Sequence, residues 1–397
     1  MRTLPQDLTT LGLFVFLALL TALLAGCAPG SAAKTCTTAG ADPGPDPGDD
    51  EGAYGPTGTA DDALPAGARS LVLRSLVRFG TDDAVDVVVD DGTVTEVVPA
   101  GEADAGGRAV VEGANRVAVP GFIDSHVHLM YLPEAEAMGD GGIAAAVDLA
   151  APMQFFSADF GDVRVVGSGP MVTAVGGYPT RSWGARGYGL ECANADEAVA
   201  AVETLAGSGA VVIKLPITGS PGLSEDALRA AADRAHELGL RVATHALGSD
   251  QALQAAAIGA DVLAHTPTEP LSEEAVEAWS GRAVVSTLRA FGGSESAVDN
   301  LRRLRDAGAV VLYGTDFGNT RTPGIDAREL ELLAEAGLDA EAIVAAATSA
   351  PAAWWGFDTL GTLEPGREAA VLLYDDAPTH PTAFASPDQV LLRGVSR

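Results

Sequence analysis

Four of the six histidines stand where short apolar runs of the sequence end. His126 and His128 close the run VAVPGFIDSHVH, and their i, i+2 spacing puts both imidazoles on one face of an extended chain. His245 ends LRVATH, His265 ends ADVLAH, and Asp316 follows VVLYGTD. Imidazole and carboxylate groups are the ligands that zinc and similar cations prefer. One strand-end histidine alone would be read as structural, but these five residues together predict a metal centre.

A sixth residue, Lys214, lies inside the apolar run AVVIKLP. The chain has only two lysines beside 22 arginines, and the other lysine, Lys34, belongs to the N-terminal region. A buried ammonium is unfavourable unless it is paired or neutral, and a desolvated lysine, unlike arginine, can lose its proton. A neutral amine that captures CO2 becomes a carbamate, which can bridge two cations. A salt bridge to Asp316 is the alternative, and the residues alone leave both open.

Alternating strands and helices must position these residues. Apolar runs such as residues 211–215 and 242–245 alternate with Ala-rich amphipathic segments such as residues 224–238. A repeat of about 25–30 residues predicts a parallel sheet, with room for eight βα units between about residues 119 and 337. We therefore predict an α/β fold, a closed (β/α)8 TIM barrel whose strand ends carry the site. A doubly wound open sheet is disfavoured because no glycine-rich dinucleotide motif follows the first strand.

Both ends of the folded body contain further strand-like runs. The dipeptide Asp91-Gly92, between two β-branched runs, is a strong signal for a two-residue hairpin turn. Residues 370–374 and 389–392 are strand-like near the C-terminus. We predict that residues 67–118 and 357–397 form one small β-sandwich domain, and that residues 119–356 form the barrel.

The first 26 residues are expected to be a signal peptide. The apolar run over residues 11–26 is shorter than the roughly 20 residues that span a bilayer. It ends in Leu24-Ala25-Gly26-Cys27, which resembles a bacterial lipobox and implies a lipid on Cys27. Residues 27–66, rich in Pro, Gly and Asp, are expected to be a disordered tether. We expect an extracytoplasmic protein that is lipid-anchored to the cell membrane; an uncleaved anchor or an ordinary signal peptide is the alternative.

The composition excludes several kinds of partner. With 54 acidic and 24 basic residues the net charge is -30, which argues against binding to nucleic acid or to anionic lipid headgroups. Three cysteines cannot build a zinc site of four thiolates. An exported compartment permits a disulfide between Cys36 and Cys192, but a free thiol is favoured because nothing holds a cysteine of the tether near Cys192. A small molecule is the expected partner.

Several motifs resemble those of the amidohydrolase superfamily of metal-dependent hydrolases, in the branch of imidazolonepropionases and prolidase-like carboxypeptidases. The matching segments are PGFIDSHVHL, VVIKLP, VATHA, VLAHT and GTDFGN, and the resemblance extends over about residues 71–393. The resemblance implies a binuclear site with two divalent ions, zinc being the expected metal. It places one ion on His126, His128 and Asp316 and the other on His245 and His265. A carbamate on the lysine of VVIKLP and a hydroxide would bridge the two ions.

The reaction expected from this resemblance is hydrolysis of a C–N bond in an amide, a dipeptide or a cyclic amide. The bridging hydroxide would attack the carbonyl carbon, and Asp316 would move the proton to the leaving nitrogen. A lactonase is the ester alternative, and a mononuclear deaminase is disfavoured because it would not use Lys214. A non-catalytic lipoprotein that binds a metal or a solute is the remaining alternative, and it would not require Asp316.

The loop of residues 176–189 is the candidate for substrate specificity. Tyr178, Trp183 and Tyr188 offer surfaces for stacking. Arg181 or Arg186 would hold a substrate carboxylate through two hydrogen bonds. The alternative is a surface loop whose arginines offset nearby acidic residues.

Overall fold

The computed structural model describes residues 69–113 and 116–397. The predicted signal peptide, the lipidation site Cys27, the tether and Cys36 all lie outside these residues. Within the described ranges, no helix combines the length and the hydropathy needed to cross a membrane. Cys192 is buried and forms no disulfide with another described residue.

The described chain contains eighteen strands and nine α-helices. The strands are β1 Leu71–Arg78, β2 Ala84–Asp90, β3 Thr93–Pro99, β4 Ala109–Glu112, β5 Val117–Pro120, β6 Phe122–Val127, β7 Ile143–Asp148, β8 Arg164–Gly167, β9 Met171–Ala174, β10 Gly189–Cys192, β11 Val212–Pro216, β12 Arg241–His245, β13 Val262–Leu263, β14 Ala283–Val285, β15 Val310–Leu312, β16 Val371–Tyr374, β17 Gln389–Leu392 and β18 Val395–Ser396. The helices are α1 Ala135–Asp140, α2 Ala195–Ser208, α3 Glu225–Glu237, α4 Ser249–Ala257, α5 Glu273–Ala278, α6 Glu295–Asp306, α7 Ala327–Glu335, α8 Ala340–Ala347 and α9 Ser349–Trp355.

The N- and C-terminal strands join in one mixed eight-stranded sheet. Its order is β18-β17-β16-β5-β1-β2-β3, and β4 also pairs with β1. The hairpin turn between β2 and β3 lies at Asp91 and Gly92, whose φ angles of 44° and 76° confirm the turn that the sequence predicts. The two terminal segments therefore meet as expected, whereas their division into the two layers of a sandwich stays a prediction.

The predicted domain boundary after residue 118 falls inside β5. Strand β5 pairs antiparallel with β16, from Val117 opposite Tyr374 to Pro120 opposite Val371, so all of β5 belongs to the terminal sheet. The neighbouring strand β6 begins only two residues later and pairs with β7 instead. An apolar run that continues from one sheet into the next gives no signal for where the change occurs.

The central part of the chain consists of parallel strands with helices between them. Its sheets are β6-β7-β8, β10-β9 and β11-β12-β13-β14-β15. Backbone hydrogen bonds from Ser125 to Tyr313 (2.9 Å) and from Val211 to Gly167 (3.2 Å) connect the three-stranded and five-stranded sheets at both sides. The C-terminal ends of these strands therefore share one face of the fold.

The helices pack small residues onto these strands. In α3, Ala227, Leu228, Ala231, Ala232 and Ala235 are buried, which is the i, i+3, i+4 spacing of a helix with one apolar face. Alanine side chains let a helix approach the strands closely.

Candidate metal centre

All six predicted metal ligands line one cavity of about 240 Å³. Five of them lie near or after the C-terminal ends of β6, β12, β13 and β15, and Lys214 lies within β11. The lining residues are His126, His128, Met171, Tyr178, Trp183, Lys214, His245, His265, Ala290, Phe291, Asp316 and Asn319. The parallel strands thus bring together side chains that are as much as 190 positions apart in the sequence.

His126, His128 and Asp316 form the tightest group. Their ligand atoms all lie within 4.8 Å of one another, and all three side chains are buried. Asp316 Oδ1 lies 3.1 Å from His128 Nε2 and 3.7 Å from His126 Nε2. Burial alone would raise the pKa of Asp316, but the two histidines lower it to about 2. An ionised carboxylate between two imidazoles is a suitable cradle for a divalent cation.

The outer nitrogens of three imidazoles are held by hydrogen bonds. His126 Nδ1 donates to the carbonyl of Ala264 at 2.7 Å, and His128 Nδ1 donates to that of Ala150 at 3.1 Å. His265 Nδ1 lies 3.1 Å from Thr287 Oγ1. Such bonds fix the tautomer and leave Nε2 as the nitrogen available to a cation.

His245 and His265 form the other side of the cavity. Their ring centroids are 4.9 Å apart, and His265 lies 4.4 Å from the ring of His126. Burial and the nearby Lys214 lower the pKa of His245 to about 3. Burial and the adjacent imidazoles also lower the pKa of His265 far below its usual value. Both rings are therefore neutral at physiological pH, which is the form that binds metal.

Lys214 lies beneath these side chains and is fully buried. Its Nζ has no hydrogen-bond partner among the described residues. Burial lowers the pKa of Lys214 to about 7, although Asp316 and Asp148 act in the opposite direction. The sequence left open a salt bridge between Lys214 and Asp316. Lys214 Nζ forms no hydrogen bond with the Asp316 carboxylate. A buried amine without a partner and with a lowered pKa is suited to modification or to a ligand.

Asp124 is a site residue that the sequence reasoning missed. Its carboxylate accepts hydrogen bonds from the backbone of His126 (3.1 Å), the backbone of Thr315 (3.0 Å) and the Thr315 hydroxyl (2.5 Å). Burial raises the pKa of Asp124 to about 7. Asp124 therefore connects the segment that carries two histidines to the segment that carries Asp316. An acid within the apolar run FIDSHVH was the available signal.

Of the five predicted substrate residues, Tyr178 and Trp183 line the metal cavity, whereas Arg181, Arg186 and Tyr188 do not. Tyr178 lies with its ring centroid 5.0 Å from His245, and Trp183 lies 5.0 Å from His128. Trp183 Nε1 donates to the Tyr178 hydroxyl at 2.8 Å. Arg181 is exposed with its guanidinium beside Gly176, and it does not line the metal cavity. Arg186 is also exposed and lines a neighbouring cavity.

Further wall residues were not predicted. Asn319 Nδ2 donates to Asp316 Oδ1 at 3.0 Å and orients the carboxylate. Phe291 contacts His265 with a centroid distance of 4.8 Å. The backbone before Phe291 is held by Glu329, whose carboxylate accepts hydrogen bonds from the amides of Leu288 (2.9 Å) and Arg289 (2.7 Å).

The amidohydrolase family model matches residues 117–396, which include all six candidate ligands. The chain therefore belongs to the amidohydrolase family, and it is a metal-binding hydrolase with a TIM-barrel-type α/β fold.

Known proteins resemble the chain over most of its length. An uncharacterised protein of Mycobacterium tuberculosis (strain ATCC 25618 / H37Rv) is 26% identical over 372 residues, which cover 82% of this chain and 96% of that protein. The crystal structure of a Xaa-Pro dipeptidase with bound methionine has a TM-score of 0.71 at 18% identity and covers 83% of this chain and 99% of its own. A prolidase complexed with N-methylphosphonate-L-proline has a TM-score of 0.70 at 19% identity, with coverage of 83% and 99%.

Proposed function

We propose that this protein is an extracytoplasmic, lipid-anchored amidohydrolase that uses two divalent ions to cleave a C–N bond in an amide, a dipeptide or a cyclic amide. The observation that carries the proposal is the amine of Lys214, which is fully buried, lines one cavity with four histidines and Asp316, and has no hydrogen-bond partner among the described residues. A buried amine without a partner costs stability. Formation of a carbamate would replace the unpaired amine of Lys214 by a carboxylate-like group that can bridge two ions.

The donor set fits two cations, with zinc as the first candidate. His126, His128 and Asp316 would hold one ion, His245 and His265 the other, and Lys214 as a carbamate would contact both. Two bound ions would lower the pKa of a water molecule and polarise a carbonyl group. Imidazoles whose outer nitrogens are already bonded are prepared for this role.

Asp316 is the proposed catalytic residue for proton transfer. Its carboxylate is ionised at neutral pH and lies at the cavity surface, where it can accept a proton from the attacking water. Delivery of this proton to the amide nitrogen allows the amine to leave in neutral form. Asn319 keeps the carboxylate directed at the cavity through its hydrogen bond of 3.0 Å to Oδ1.

The shape of the cavity and the structural neighbours support an amide substrate. A volume of about 240 Å³ admits the reacting part of a small molecule and excludes a folded protein. The dipeptidase and prolidase neighbours favour a peptide-like bond. A lactone is the second candidate, because the same groups would also serve attack on an ester carbonyl. The lipid anchor is proposed from the Leu-Ala-Gly-Cys segment at residues 24–27 alone.

The proposal is tested with the full chain, purified in detergent and supplied with zinc and bicarbonate. Dipeptides, N-acyl amino acids, cyclic amides and lactones are screened for release of amine, acid and ammonia, and Asp316→Asn serves as the blank. Amine release that the blank lacks supports the amidohydrolase. Ammonia release would indicate a deaminase, and acid release from lactones alone would indicate the ester alternative. Two bound ions without any turnover would favour a binding protein.

A further inference from the structure

A second cavity of about 540 Å³ adjoins the metal cavity. We call it the outer cavity, and its walls are Met130, Tyr131, Pro152, Trp183, Arg186 and Tyr188. Trp183 lines both cavities and forms their common wall. The indole is fixed there by the hydrogen bond from Nε1 to the Tyr178 hydroxyl and by its contact with the His128 ring. The metal cavity and the outer cavity therefore lie against the same indole.

Three aromatic rings provide the apolar surface of the outer cavity. Their centroids are 5.2 Å apart for Trp183 and Tyr188, 5.8 Å for Tyr131 and Trp183, and 6.2 Å for Tyr131 and Tyr188. Tyr131 remains 41% exposed, which is unusual for a large ring that has two aromatic neighbours. Rings in this arrangement favour a planar aromatic guest that would bury the exposed ring.

Arg186 is the only charged residue in the wall of the outer cavity. Its guanidinium is exposed and has neither a hydrogen bond nor an ion pair with any residue in the described ranges. By contrast, Arg108 and Arg164 are paired with Asp90 and Glu368. In a protein with a net charge of -30, an unpaired arginine beside three aromatic rings provides charge complementarity for an anionic group.

We propose that the outer cavity is a substrate subsite for an aromatic group that carries a carboxylate. The ring would pack among Tyr131, Trp183 and Tyr188, and the carboxylate would pair with Arg186. This inference rests on the proposed function, since the scissile amide would lie in the metal cavity on the other side of Trp183. It assigns selectivity to Arg186 and not to Arg181, the other arginine of the loop.

The test uses an amide that the full chain hydrolyses and three extended forms of it. The extensions are phenyl, 4-carboxyphenyl and 4-trimethylammoniophenyl, placed on the acyl side in one set and on the amine side in another. In the set whose extension reaches the outer cavity, whether on the acyl or the amine side, the wild type should prefer the carboxylate over the trimethylammonium compound by about tenfold in kcat/KM. Arg186→Gln should reduce the ratio of kcat/KM for the carboxylate compound to that for the phenyl compound about fivefold.

Two other arginines serve as comparisons. Arg302→Gln removes the same charge from the exposed surface of α6, where Arg302 pairs with Asp299, and should leave the preference unchanged. If Arg186→Gln and Arg302→Gln lost the preference for the carboxylate equally, the net charge of the protein would explain it, and the inference would be overturned. If only Arg181→Gln lost the preference, Arg181 and not Arg186 would bind the carboxylate, and the inference would be overturned. Hydrolysis of the parent amide without any preference would overturn the subsite and leave the proposed function standing.

A binding measurement tests the subsite without turnover. The probe is 4-nitrobenzoate, an aromatic carboxylate that quenches tryptophan fluorescence, added to the full chain. Saturable quenching that is lost in Trp183→Phe and weakened about fivefold in Arg186→Gln is expected. Quenching that is unaffected by both substitutions would overturn the inference, even if the parent amide is never hydrolysed and the proposed function fails.

Discussion

The hydroxyl of Thr315 donates a 2.5 Å hydrogen bond to the carboxylate of Asp124, 191 positions earlier in the chain. This bond and the backbone bond from Thr315 hold the loop of Asp316 against the end of β6. Since Asp124 also accepts from the backbone of His126, one carboxylate orients both sides of the tightest ligand group. The metal centre therefore depends on a residue that would not itself touch a metal ion.

Replacing Asp124 by Asn should weaken metal binding. The amide has one oxygen that accepts and a nitrogen that donates, so it cannot satisfy the three donors that face the carboxylate. We expect a loss of about 10- to 100-fold in metal affinity or kcat, the range for residues that orient ligands. Asp86→Asn is the matched control, because Asp86 is also a fully buried acid that accepts backbone amides, but in the terminal sheet. Equal metal affinity in the two variants would contradict this role.

Replacing Thr287 by Val should weaken binding of the ion proposed at His245 and His265 more than binding of the other ion. The valine keeps the shape of the side chain but removes the oxygen that lies 3.1 Å from His265 Nδ1. We expect about tenfold weaker binding of the second ion, with the ion at His126, His128 and Asp316 retained. Stepwise metal titration followed by calorimetry measures both steps. Thr244→Val, which alters a buried hydroxyl on β12 that contacts the carbonyl of Val262, should leave both steps unchanged.

Glu329 should make stability fall as the pH rises. Burial raises the pKa of Glu329 from 4.5 to about 7. Between these two pH values the folded state binds more protons at Glu329 than the unfolded state does. The contribution of protonated Glu329 to the free energy of unfolding is therefore complete below about pH 4.5 and is lost as the pH rises through 7. Relative to Glu329→Gln, the wild type should lose on the order of 3 kcal/mol of unfolding free energy across this window.

Urea unfolding at several pH values measures this difference for Glu329. The exposed Glu341→Gln on α8 controls for the loss of one carboxylate. A difference between wild type and Glu329→Gln that stays constant from pH 4.5 to 7 would show that the carboxylate titrates normally in the folded protein.

The sequence was sufficient to place the candidate ligands in one region because their signal is local. A histidine or an aspartate at the end of an apolar run lies at a strand end in any parallel α/β fold, so His245 and Asp316 needed no knowledge of the tertiary structure. Lys214 was identified by the conflict between its charge and its apolar neighbours. This conflict can be recognised in the sequence because an unbroken apolar run predicts that all of its residues are buried.

Other features depend on contacts that no local pattern encodes. The role of Asp124 depends on Thr315, which only the closed arrangement of strands brings near. The path of the loop over residues 176–189 decides that Trp183 lines the metal cavity while Arg181 does not. The change of sheet between β5 and β6 has no local signal because the apolar run VAVPGFI continues from one strand into the next, and only the pairing partners differ.

The most direct test of the central claim is the metal content of the full chain and of Lys214→Arg, measured by mass spectrometry after both are loaded with zinc and bicarbonate. Arginine keeps the positive charge and the length of the side chain but cannot form a carbamate at neutral pH. The account predicts two ions in the wild type, at most one in the variant, and loss of amide hydrolysis. Two ions and undiminished hydrolysis in Lys214→Arg would contradict it.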